Sequence, residues 1–392
     1  MSNGNMLANF VSRIIGPKLT RDVAVTRIVS VTYGFHTLLI VAALFLIHAL
    51  PSREAAGFVN ISVAGAPPLI ESFIKWDAHW YTYIAEHGYD NQSIVFFPVT
   101  ILLIKGLAGL GIGYVTAGFV LCNLFTLLSY YLMAKIFLLD FSEAEAKRAL
   151  LAYATIPTSF FLNSVYTEPI FISFSLACFY CVRTKSWWYA GLYAALATLT
   201  RNLGILLIAV MLGKYVEYYV KERKLRLSML SILFPVAALA AFCAYNNVMF
   251  GDPLAFINSQ QLWGRRFGLP WDNVYNNFFL ISAGIPITEA GVYLDAVLVM
   301  LALIALILVS VVPHYRIPWP YVLIGWLWFL VPLFSTSPIY PLYSMARFVL
   351  VVFPLYLFMA KLPKPLFYCG ISISAVGLMV CTALFINWLW LG

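Results

Sequence analysis

Long, unbroken apolar runs fix what this chain can become. They can be read at 28–50, 94–112, 115–139, 149–163, 169–182, 187–200, 203–219, 228–249, 293–312, 320–334, 346–360 and 366–390. About 20 apolar residues in a helix cross the roughly 30 Å hydrocarbon core of a bilayer. Continuous runs point to helices rather than to a membrane barrel, whose strands alternate over about ten residues. Hydrophobic residues fill 62% of 392 positions and charged residues only 10%, and the mean hydropathy is +0.89, more apolar surface than a soluble domain of this length can hide. The fold class expected is an all-α polytopic membrane protein, with residues 1–392 as a single transmembrane domain.

Basic clusters orient the runs, because cytoplasmic loops carry an excess of Lys and Arg. Arg13 to Arg27 places the N-terminus inside, and the first run is expected to remain as a permanent anchor. Lys147 and Arg148, Arg183 and Lys185, Lys221 to Arg226, Arg316, and Lys361 with Lys364 belong inside as well. The loops 51–93 and 250–292 then lie outside. Parity requires an odd number of crossings between residue 93 and the cluster at 147–148, whereas the runs 94–112 and 115–139 would give two. The weaker run, 94–112, contains Pro98 and Lys105 and is rich in glycine, so it is read as a helix in the outer interface. The first outer region therefore extends over 51–114, and about eleven spans are expected, with the C-terminus outside. The formal charge of +8 sits in these short loops and carries no nucleic-acid signal. The six cysteines all lie in apolar runs, and none has metal-site spacing with a histidine.

The stretch 71–98 stands apart. In a chain with only 16 acidic residues, Glu71, Asp77, Glu86 and Asp90 fall close together, with His79 and His87 between them. Glu168 follows one span, Arg201 ends another and Arg347 opens a third, all on the expected outer face. Ionisable groups gathered at span ends on one face describe one polar site open to the outer leaflet. The bland readings are a helix cap or solvated acid for Asp77, a helix-start carboxylate for Glu168 and snorkelling for the arginines. Asp77 and Glu86 are about two and a half helical turns apart and share a face only loosely. A metal site built from Asp77, His79, Glu86 and His87 fits no common ligand spacing, and no metal or cofactor is expected. Arg265 and Arg266 are read as solvated or snorkelling, and Trp187, Trp188, Trp326, Trp328, Trp388 and Trp390 as interfacial anchors. Sequons at Asn60 and Asn91 are close to chance.

Several motifs occur in an ordered series: Trp76-Asp77, Trp80-Tyr81, Glu86-His87-Gly88-Tyr89, Phe96-Phe97-Pro98, Tyr166-Thr167-Glu168, Thr200-Arg201, Gly251-Asp252-Pro253 and Ser344-Met345-Ala346-Arg347. Together the chain from about 70 to 360 resembles the PIG-V-type integral membrane mannosyltransferases. It departs from their pattern at Pro169, Asn202, Ala346 and Phe348 and keeps the charged residues. The resemblance implies a GT-C glycosyltransferase fold and an active site on the extracytoplasmic face. It implies transfer of mannose, with inversion, from a polyprenyl-phosphate donor to a hydroxyl of a glycolipid or glycan acceptor. A prokaryotic plasma membrane is favoured over the endoplasmic reticulum. A sugar hydroxyl needs a positioned base, the role expected of Asp77 with Glu168 beside it. A departing lipid phosphate needs fixed cations, the role expected of Arg201 and Arg347. Trp76, His79, Tyr81, Glu86 and His87 are expected on the acceptor and sugar side. A lipid or oligosaccharide translocator is the alternative, but it needs polar groups along its whole path.

Overall fold

In the computed structural model, which describes residues 17–53 and 66–392, nearly every apolar run is a helix. Arg13 and the Asn60 sequon lie outside the described residues. In chain order the helices are α1 (Pro17–Ala43), α2 (Pro68–Ser72), α3 (Asp77–His87), α4 (Pro98–Ala108), α5 (Tyr114–Asp140), α6 (Glu143–Thr155), α7 (Glu168–Arg183), α8 (Trp187–Thr198) and α9 (Leu207–Glu222). They continue with α10 (Leu233–Phe250), α11 (Ala255–Asn258), α12 (Pro270–Ser282), α13 (Ala290–Val311), α14 (Trp319–Leu330), α15 (Met345–Val351), α16 (Pro354–Lys361) and α17 (Lys364–Ile386). Six segments among the described residues are long and apolar enough to cross a membrane: Asp22–Ala49, Tyr114–Asp140, Asn202–Glu222, Leu227–Phe250, Ala290–Val311 and Lys364–Ile386. The chain is thus an integral, multi-pass membrane protein. Other helices are shorter than the bilayer core: the 12 residues of α8 rise about 18 Å.

Local chemistry sets the helix ends. Ser142 and Glu145 close a reciprocal capping box at the start of α6. Proline stands in the first turn of α4, α7, α12, α16 and α17, where its missing N–H costs nothing. The interior is packed around α7, which lies between α5 and α8, while α6 packs against α1 and α16.

At one end of the bundle, Arg183 makes a bidentate ion pair with Asp140 at 2.5 and 2.6 Å, and Tyr321 donates to the same carboxylate at 2.9 Å. Arg27 pairs with Glu143 at this end, and Lys361 with Glu145 at 4.0 Å. Arg183 closes α7, whereas Glu168 opens it about 22 Å away. The charged residues expected in the functional site therefore sit at the opposite ends of the same helices.

Three features differ from the sequence reading. A two-residue antiparallel ribbon pairs β1 (Arg266–Phe267) with β2 (Ser335–Thr336) in an otherwise helical chain. The segment expected as an outer loop contains a packed helix: α3 buries Ala78, His79, Tyr81, Thr82, Ile84 and Ala85 and packs against α4 and α5. Several tryptophans are core residues rather than anchors. Trp328 is fully buried and donates to the Leu203 carbonyl at 3.1 Å, and Trp187 is buried against Tyr215.

Candidate active site

Asp77 is the first residue of α3, and the backbone just before it is unusual. Trp76 has φ 54° and ψ −121°, a conformation that non-glycine residues seldom hold without outside support. That support is aromatic. The Trp76 ring meets Trp388 and Trp390 edge-on at 5.8 and 5.2 Å, and the Tyr166 hydroxyl donates to the Lys75 carbonyl at 3.2 Å. Lys75 is itself capped by the face of Trp388 at 4.5 Å. The chain is therefore turned sharply at the residue that delivers the Asp77 carboxylate.

Four side chains form a continuous ion chain. Arg347 Nη1 donates to Asp77 Oδ2 at 2.6 Å, and Arg347 Nε donates to Glu168 Oε1 at 2.9 Å. Arg201 Nη1 donates to the same Glu168 oxygen at 2.5 Å and to Thr167 Oγ1 at 3.3 Å. Glu168 is wholly buried, and Arg347 is 5% exposed. The guanidinium planes also lie on rings, Arg347 over Tyr166 at 4.5 Å and Arg201 over Phe348 at 4.7 Å. Each charge is thus neutralised in turn across residues far apart in sequence, as buried charges require.

Local folding positions each member. Glu168 opens α7, where the helix dipole favours a carboxylate. Arg201 lies in extended backbone just after α8, and its carbonyl accepts the Gly204 N–H at 2.9 Å. Gly204 is needed there: any Cβ would collide with the backbone of Ala197 and Thr198. Arg347 lies in the first turn of α15, after Ser344 in the left-handed region at φ 64°. Buried Asp295 on α13 accepts the Ala346 N–H at 2.6 Å and so fastens that turn. The sequence reading passed over Asp295, although an acid inside the apolar run 293–312 was the signal that could have found it.

A cavity of about 410 Å³ opens over this chain. Asp77, Tyr81, Arg201 and Arg347 line it, and the segment 250–292 and the last residues of the chain contribute Trp263, Arg265 and Trp390. Glu168 stands behind the two arginines and does not face the cavity. Tyr81 lies one turn beyond Asp77, edge-on to Phe96 at 5.0 Å. Burial pushes its phenol up, and the Asp77 carboxylate pushes the same way, so it serves as a neutral hydroxyl. The other sequence-named residues sit elsewhere. Trp76 and His79 pack beneath the cavity wall against Trp388, with His79 stacked on it at 5.5 Å. Glu86 and His87 lie half-exposed at the far end of α3. Arg265 and Trp390, read from sequence as solvated and as an anchor, face the cavity. Their signal would have been proximity to the Arg347 and Trp76 segments, which only tertiary structure provides. Among the described residues, no group of three or more His, Cys, Asp or Glu side chains could hold a metal ion.

A cluster of two carboxylates and three guanidiniums, with aromatic walls, can position a hydroxyl nucleophile, accept its proton and hold an anionic leaving group. Compared with known proteins, residues 37–250 match the family model described as Mannosyltransferase (PIG-V). The matched segment contains Asp77, Glu168 and Arg201 and stops short of Arg265 and Arg347. No curated protein and no solved structure matches the chain.

Proposed function

The chain belongs to the PIG-V mannosyltransferase family, and on that premise we propose that it takes mannose from a polyprenyl-phosphate donor on the extracytoplasmic face. The acceptor is a hydroxyl of a glycolipid or glycan, and transfer proceeds with inversion. The observation that carries the reading is the single ion chain Asp77–Arg347–Glu168–Arg201 bordering one cavity. Its volume of about 410 Å³ falls in the range of small-molecule sites.

In this mechanism the acceptor oxygen attacks the anomeric carbon while Asp77 takes its proton. The bond from that carbon to the phosphate oxygen breaks, and the lipid phosphate leaves with added negative charge. Arg347 and Arg201 face that developing charge, with planar donors that stay ionised in a dry site. Glu168 acts through them. It holds both guanidiniums in place and partly offsets their mutual repulsion. Trp263, Tyr343 and Trp390 offer apolar faces to the sugar.

The same reading proposes eleven crossings, made by α1, α5, α6, α7, α8, α9, α10, α13, α14, the broken pair α15–α16, and α17. The helix α4, at 11 residues or about 16 Å, stays in the outer interface. Support comes from the placement of Asp140, Arg183 and Lys361 at one end and of Glu168, Arg201 and Arg347 at the other. The test of function is to incubate purified protein with labelled polyprenyl-phosphate mannose and membrane lipids, then determine the product and its anomeric configuration. A labelled glycolipid or glycan with inverted configuration is the expected result; retention, or no transfer to any hydroxyl, would overturn it.

A further inference from the structure

Three guanidiniums border the cavity, and they are not equivalent. Arg201 and Arg347 are each bound to carboxylates. Among the described residues, Arg265 hydrogen-bonds only to two hydroxyls, Ser335 Oγ at 3.5 Å and Ser344 Oγ at 3.4 Å, both long for hydrogen bonds. Its guanidinium lies on the face of Tyr343 at 4.3 Å. Among the described residues, no carboxylate is in ion-pair contact with it. Asp77, Glu168, Arg201 and Arg347 balance one another within the ion chain, and Arg265 stands outside it; buried Asp295, the other acid whose charge reaches Arg265, is taken up by the Ala346 N–H. Burial pushes the Arg265 guanidinium down to about 10, and the nearby Arg347 and Arg201 charges push the same way. Its neighbour in sequence is different. Arg266 sits in β1, exposed, and lines a separate groove of about 540 Å³ beyond the ribbon.

We propose that Arg265 is the docking residue for the phosphate of a prenyl-phosphate-linked substrate, and that the docked phosphate competes with Asp77 for Arg347. The inference rests on the mannosyl-transfer reading above. A phosphodiester carries one negative charge and gives Arg265 the direct anionic partner that the two serine hydroxyls do not supply. Serine hydroxyls at 3.4–3.5 Å leave the fork of the guanidinium open to a stronger acceptor. Arg347 Nη1 is the donor that Asp77 Oδ2 occupies at 2.6 Å. A phosphate drawn into the cavity by Arg265 takes that donor and releases the Asp77 carboxylate to accept a proton. Donor binding then precedes deprotonation of the acceptor, so the base is engaged only when there is a sugar to transfer.

The experiment measures binding of farnesyl phosphate and of farnesol to the purified full-length protein by calorimetry. The wild type binds the phosphate more tightly than the alcohol. Arg265→Gln weakens phosphate binding by about 10- to 100-fold, the scale of one charge-assisted hydrogen bond. Arg265→Lys, which keeps the charge, falls between, and Arg266→Gln binds as the wild type does. Asp77→Asn binds the phosphate several-fold more tightly, because the competitor is weakened. If the wild type prefers phosphate but Arg265→Gln and Arg265→Lys both bind it within about twofold of wild type, the Arg265 assignment is overturned while the donor reading stands. If the wild type does not distinguish phosphate from alcohol, the donor reading fails and the docking role falls with it. Unchanged affinity in Asp77→Asn overturns the competition.

Discussion

Glu168→Gln tests how the ion chain is held together. Glu168 is fully buried, and one of its oxygens accepts from Arg347 Nε at 2.9 Å and Arg201 Nη1 at 2.5 Å. At an effective dielectric of about 20, each such attraction is worth about 4 kcal/mol before desolvation is subtracted. Removing one member of a buried pair costs about 3–5 kcal/mol, because the remaining charge loses its partner. Here two guanidiniums lose it together, and Asp77 is left to balance Arg347 alone. We therefore expect Glu168→Gln to destabilise the protein by about 3–5 kcal/mol. Turnover should also fall, since both arginines shift. A second substitution separates charge from shape: Glu168→Gln with Arg201→Met removes one of the two stranded cations and should regain part of the lost stability. Thermal and denaturant unfolding in one detergent would measure both variants, beside transfer assays at saturating donor. A single variant within about 0.5 kcal/mol of wild type, the range of ordinary surface substitutions, would refute the reasoning. A double variant no more stable than the single would refute it too.

Asp77→Asn should lower turnover by about 10²–10⁴-fold, read from single-turnover transfer by the folded protein, and should also cost stability, because Arg347 is left to share Glu168 with Arg201; near wild-type rates would remove Asp77 as the base. Gly204→Ala should displace the turn that follows Arg201, because the new Cβ meets the Ala197 and Thr198 backbone, and should cost about 1–3 kcal/mol with loss of transfer. Arg265 gives a pH prediction. Its folded-state pKa is depressed to about 10, so its charged form costs stability below that pH, and the cost is relieved as pH rises above 10 towards the higher, ordinary guanidinium range. Arg265→Gln should therefore melt higher than wild type at pH 7–9, with the difference closing above about pH 10. Single cysteines near Gly111 and at Lys147 should label from opposite sides of the membrane; labelling of both from one side would refute the eleven-crossing arrangement.

Much of the site could be read from sequence because charge is so scarce in this chain. Asp77, Glu168, Arg201 and Arg347 stood out as ionisable residues next to apolar runs, and the same four form one ion chain. Their pairing was not legible. Glu168 meets Arg201 across 33 residues and Arg347 across 179, and no local periodicity encodes contacts of that range. Arg265 lies in a loop without repeating pattern, so its burial against Tyr343 left no local trace. Trp388 and Trp390 follow an apolar span, the usual setting of an interfacial belt; only the fold brings them onto Trp76. His79, Glu86 and His87 share a short motif with Asp77, yet α3 turns each away from the cavity, which shows that adjacency in a motif does not fix direction on a helix.

The ion chain also dates the site's completion during synthesis. Glu168 and Arg201 leave the ribosome within one helical hairpin, so their pair can form while the growing chain is still being threaded into the bilayer. Arg347 emerges almost 150 residues later, and the tryptophans that brace Trp76 come later still. A nascent chain stopped before α15 would carry a neutral Glu168–Arg201 pair and an Asp77 without its arginine. Such a fragment could pass insertion without becoming competent for transfer, so an error in the last helices should leave an inert membrane protein rather than one that glycosylates at random.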